Sequence, residues 1–254
     1  MQIRRRHLVV LAVAATGALV AAGAASALTD NSSSMSFNFS PSKVPKKTFK
    51  SGKIKVHTHT DFAHPGDKAE GGFTKRVQLY FDSDFKFNTG AAPICNKNLA
   101  NTNEKQAMAL CGSALVGKGT AQATNTANAT IKGCVLVFNG PKNGSGKPTL
   151  ILHSRFVMPN PCPDPSTSTA GSVDAILSGA LKPANKSGFG KVLDVSNIDT
   201  QPLPLKDFTA TVKKGKYVQA RCSKSPWKAQ AKFTYSGSGQ APDTVNASEA
   251  CKVG

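Results

Sequence analysis

"WKAQAKFTY", residues 227–235, puts Trp227, Ala229, Ala231, Phe233 and Tyr235 at alternate positions, with Lys228, Gln230, Lys232 and Thr234 between them. A chain with this period of two pleats into a strand with one apolar face. The alternation recurs in "RVQLYFD", where Val77, Leu79 and Phe81 share a face, in "GKIKVHTHTDF" at 52–62 and in "FKF" at 85–87. "IKGCVLVF" at 131–138 is almost wholly apolar and reads as a central strand. "PKNGSGKP" at 141–148 is a turn, and "TLILHSRF" at 149–156 returns as the hairpin partner. Further strands are expected at 37–39, 113–123, 172–181 and 191–195, and on both sides of the Lys-Lys-Gly turn at 213–215. One segment departs from the pattern. "NLANTNEKQAMALCG" has Asn101 three residues before Glu104, a start resembling a capping box, and predicts one short helix over about 102–110, closed by Cys111 and Gly112. About ten strands, one helix and regular turns predict an all-β fold, a β-sandwich.

The first residues read as an export signal. Arg4, Arg5 and Arg6 precede an uncharged apolar run from Leu8 to Ala22, and Ala25-Ser26-Ala27 supplies the small residues of a cleavage site. The run is short for a membrane span. The expected organisation is a signal peptide at 1–27, a flexible polar linker at 28–36 and a single β-sandwich domain at 37–254. The mature chain is expected outside the cell or in its envelope, with no transmembrane anchor after cleavage.

Of the 32 basic residues, the signal holds three, so 29 remain against 14 acids, a formal net charge of +15. Only Arg76, Arg155 and Arg221 of these are arginines. Arginine makes the bidentate contacts that read bases, whereas lysine acts as a point charge. The composition therefore predicts salt-sensitive attraction to polyanions without sequence-specific reading of nucleic acid. Its densest stretch is "SKVPKKTFKSGKIK", carrying Lys43, Lys46, Lys47, Lys50, Lys53 and Lys55. These six can lie along the phosphates or carboxylates of a cell-wall polymer. Equally, they can be a solvated arm whose charges guard an exposed sheet edge.

An even set of six cysteines in an exported chain argues for three disulfides. Pairing of sequence neighbours is the expectation: Cys95–Cys111, Cys134–Cys162 and Cys222–Cys251. Other connectivities stay open. No CxxC spacing supports zinc.

"FSPSKVPKKTFKSGKIKVHT", "VQLYFDSDFKFNTGAAPIC", "EKQAMALCGSALVGKGTA", "FNGPKNGSGKPTLILHSR" and "CSKSPWKAQAKFTY", with "ASEAC" near the end, resemble a family of secreted, uncharacterised actinobacterial proteins. The resemblance covers most of 37–254. It implies a signal peptide, a β-rich body and cysteines like Cys95/Cys111 and Cys222/Cys251. It implies no catalytic residues, and Cys134/Cys162 is a departure from it.

Chemistry-bearing residues are few. "KVHTHTDFAHPG" holds three of the five histidines, and on a strand His57, His59 and Asp61 point the same way. Two imidazoles two residues apart can share a metal ion, with His64 or His153 as a third ligand. Solvated histidines on a polar sheet face are the plainer reading. "DSD" at 82–84 reads as a turn, and the serines of "YSGSGQ" lack a G-x-S-x-G context. Neither glycine-lysine segment matches a phosphate-cradling loop. The sequence therefore points to a secreted, non-enzymatic β-sandwich protein that binds anionic envelope polymers through lysines. No catalytic, cofactor or metal residue is assigned. The alternative is a secreted metal-dependent or hydrolytic enzyme with dispersed site residues.

Overall fold

Alternation decides the architecture. In the computed structural model, which describes residues 30–124, 129–157, 172–237 and 239–254, nearly every expected apolar run is a strand with its apolar face inward. In chain order these are β1 (Ser32–Ser40), β2 (Lys43–Val44), β3 (Lys50–Ser51), β4 (Lys53–Asp61), β5 (Thr74–Asp82), β6 (Phe85–Phe87), α1 (Glu104–Cys111), β7 (Leu115–Thr124), β8 (Thr130–Gly140), β9 (Thr149–Val157), β10 (Ser172–Pro183), β11 (Phe189–Ser196), β12 (Leu205–Val212), β13 (Val218–Ala220), β14 (Trp227–Tyr235), β15 (Asp243–Glu249) and β16 (Lys252–Val253). The all-β class with one short helix is thus observed. Among the described residues, no helix is long and apolar enough to cross a membrane. The expected signal peptide lies outside the described residues.

Eleven strands form one antiparallel sheet in the order β1-β4-β12-β7-β8-β9-β10-β11-β5-β14-β15. The sheet is nearly closed, so the layers expected of a sandwich are opposite walls of one barrel-like sheet. Its last seam, between β1 and β15, is made by side chains. Asp243 Oδ2 accepts from Ser33 N at 2.7 Å, and Glu249 accepts from Phe39 N at 2.6 Å and Asn38 Nδ2 at 2.7 Å. With no backbone ladder joining β1 to β15, carboxylates here take up edge donors that would otherwise be bare.

Call the end where β1 finishes and β4 begins the lower end. The register puts Ser40 opposite Lys53, Val212 opposite Ile54 and Trp227 opposite Glu249 there. A small sheet, β3-β13-β6, and the parallel pair β2-β16 cover it. Inside, Trp227 stacks edge-on with Phe39 at 5.4 Å and lies 5.3 Å from Phe85, and its Nε1 donates to Arg221 O at 2.7 Å. The bridge Cys222–Cys251 ties the approach to β14 to the C-terminal segment.

A second, smaller core lies outside the barrel. On β8, Val135 and Val137 face inward while Leu136 and Phe138 face outward, so the continuous run is buried on both sides. Residues 88–114, including α1 and the bridge Cys95–Cys111, pack over that outer face. The third expected bridge falls, with Cys162, outside the described residues.

Two local expectations change and a third holds. Residues 32–36, expected as linker, form the first half of β1, because Ser33 hydroxyl meets Thr60 and Tyr235 hydroxyls at 3.0 and 2.6 Å. The helix is capped by Asn103, which exchanges hydrogen bonds with Gln106, and not by Asn101, which turns in the left-handed region at φ 58°. The strands expected on both sides of the Lys-Lys-Gly turn are present, β12 in the barrel and β13 in the lower cover.

Candidate functional site

His57 and His59 lie on the outer face of β4, as the period of two requires. Their partner is distant in sequence. On β12, Asp207 sits opposite His59 and its Oδ1 is 3.1 Å from His57 Nε2 and 2.9 Å from His59 Nδ1. His59 Nε2 reaches Asp61 Oδ1 at 3.0 Å, and Lys206 Nζ lies 3.4 Å from the same oxygen. The result is an open chain, Asp61–His59–Asp207–His57. Burial acts against the His59 cation, but Asp207 and Asp61 outweigh it and hold its pKa above the ordinary value. Burial likewise opposes the Asp207 anion, and hydrogen bonds from His59 and His57 outweigh it and hold its pKa low. Each imidazole is already turned to a carboxylate. Among the described residues no group of three His, Cys, Asp or Glu has metal-holding geometry.

His153, a candidate third ligand, is elsewhere. It is 1% exposed on the outer face of β9, beneath the 98–103 segment, with Nε2 3.1 Å from both Thr102 O and Thr102 Oγ1. Burial depresses its pKa. Beside it, buried Arg155 donates to Asp174 at 2.9 Å. His64 belongs to a turn in which its carbonyl accepts from Asp67 N.

The turn "DSD" conceals two structural carboxylates. Asp84, fully buried, accepts from Arg221 Nε at 2.9 Å, Ser223 N at 2.7 Å and Ser223 Oγ at 2.7 Å. Burial raises its pKa and these donors more than reverse that, leaving it low. Asp82 accepts from the backbone of Asp84 and of Lys228. Both anchor the lower cover, and nothing in their spacing signals it.

The six lysines are all exposed. None forms an ion pair among the described residues. The edge-guarding explanation does not hold for Lys53 and Lys55, because β4 is an interior strand between β1 and β12. Lys43 pairs in register with exposed Lys252, and Lys50 with Ala220 of the lower cover. The fold adds lysines that sequence distance hid. Lys86 on β6, Lys213 and Lys216 in the turn after β12, and Lys224 before β14 are all exposed at the same end. Lys86 and Arg221 also sit over the Phe49 ring, at 6.0 and 5.1 Å from its centre. The acids nearby are engaged inward, as described for Asp82, Asp84 and Glu249. By contrast, the exposed acids among the described residues, Asp30, Asp67 and Glu70, lie at the upper end. Among the described residues, exposed lysines are therefore concentrated at the lower end, with fewer (Lys68, Lys75, Lys132 and Lys232) towards the upper end, where the exposed acids lie.

A scan against protein-family models, a search of curated proteins and a search of solved structures each found no match to this chain.

Proposed function

We propose that this is an exported, non-enzymatic binding protein whose lysine-rich lower end docks on anionic polymers of the cell envelope. One observation carries the reading: among the described residues, exposed, unpaired lysines from segments far apart in sequence are concentrated at one end, while the exposed acids sit at the other beside fewer lysines. Charge sorted in this way raises the local concentration of polyanions at one face and orients the encounter. Two native disulfides and the apolar N-terminal run support export. Lysine point charges favour linear phosphate or carboxylate chains over any particular sequence of bases.

The test is retention on immobilised polyphosphate at low salt. Replacing Lys43, Lys46, Lys47, Lys50, Lys53 and Lys55 by Gln is expected to bring elution to much lower salt. Unchanged retention in a folded variant would overturn the proposal.

A further inference from the structure

The inward side chains do not fill the barrel. A lumen of about 100 Å³ remains, lined by β4, β5, β6, β8–β12 and by the chain between β11 and β12. Protein interiors pack as densely as organic crystals and rarely leave voids larger than a water molecule. An engineered apolar cavity of about 150 Å³ stays dry and takes up benzene. Among the described residues, no charged side chain lines the lumen, and the only polar ones there are Thr58, Ser154 and Gln201. Room exists because Ala175 and Ala210 present methyl groups in a lining otherwise dominated by Val, Leu, Ile and Phe.

The wall also has a lateral gap. β10 pairs with β9 from Ser172 to Ala180, but with β11 only from Gly179 to Pro183. Beside the upper half of β10, the chain leaves β11 through Asn197, in the left-handed region at φ 58°, and makes a 3-10 turn at Ile198–Thr200. A polar groove of about 480 Å³ runs there, and Leu177 and Gln201 line both the groove and the lumen. The strap is held largely by its own bonds, Thr200 N and Gln201 N donating to Asn197 O and Ile198 O. Buried Ile198 pins it to the core.

We propose that the lumen binds a small uncharged apolar molecule, the size of one ring or a short alkyl chain, admitted between β10 and the strap at 198–203. A charged ligand would find no counter-charge inside and would lose its hydration. The site is independent of the lysine-rich end, so either proposal can fail alone.

Toluene, benzoate and xenon are the probes, used on the mature chain with its disulfides intact. Toluene is expected to raise the melting temperature of the wild type by ligand linkage, and xenon to show a bound NMR shift. Benzoate, the same ring with a charge, is expected to do neither. Ala210→Leu and, independently, Ala175→Leu fill the lumen and are expected to weaken toluene at least tenfold while leaving Trp227 fluorescence native. Absence of both the toluene and the xenon response in the wild type overturns the proposal. So does an equal response to benzoate, or full toluene binding in both folded filling variants.

Discussion

Single residues set the acid limits of this protein. Asp84 holds its charge below the usual carboxylate range, so its contribution is present above pH 3.8 and is lost as pH falls through its depressed folded value. Replacing it with Ala strands Arg221 and two Ser223 donors, which costs roughly 2–3 kcal/mol. Urea unfolding at neutral pH measures that loss. The histidines oppose one another. Burial depresses the folded pKa of His153, so its contribution to stability falls as pH drops below 6.5, where the unfolded chain takes up the proton first. His59 has the reverse sign: its contribution is full below 6.5 and disappears as pH rises through its raised folded value. His153 is buried and His59 is screened by water, so the His153 effect dominates and net stability declines as pH falls below 6.5. Thermal melts of the wild type and His153→Gln check this: the variant flattens that limb.

At the scale of elements, sequence legibility followed amphipathic contrast. β14 and β5 were readable because Trp227 to Tyr235 and Val77 to Phe81 alternate strongly, and β8–β9 because a turn of Gly, Asn and Pro joins two apolar runs. β15 was not, since in "DTVNASE" only Val245 and Ala247 mark the inner face and carboxylates do the closing. The first half of β1 was hidden for the same reason: serines fill it, and hydroxyl contacts hold it. The His57–His59 pair was visible, but its partner Asp207 lies 150 and 148 residues away from the two, which no spacing can reveal. The seam makes a prediction. Glu249→Ala removes both bonds to β1, costs about 1–2 kcal/mol and speeds amide exchange at Phe39 while β8 and β9 stay protected. A second concerns strand spacing. A side chain at Gly119 would collide with the Thr209 carbonyl, so Gly119→Val is expected to break the β7–β12 pairing and prevent folding, as read by loss of β circular dichroism.

For the whole molecule, closure and charge are two separate designs. Closure comes from an aromatic plug at the lower end, the outer layer formed by 88–114, and the two bridges, which loop-closure entropy values at ~3 kcal/mol for Cys95–Cys111 and ~3.6 for Cys222–Cys251. Reduction is therefore expected to lower the melting temperature of the native protein by many degrees. Charge is sorted by the register of the antiparallel strands, which gathers the lower-end lysines whatever their distance in sequence. That sorting is what makes an anionic polymer the expected partner. The most direct measurement compares salt-dependent retention on polyphosphate for three proteins: the wild type, the six-lysine variant described above, and a control with upper-end Lys68, Lys75 and Lys206 replaced by Gln. The account predicts that the six-lysine variant elutes far earlier and the control close to the wild type. Equal loss per lysine removed, at either end, would contradict it.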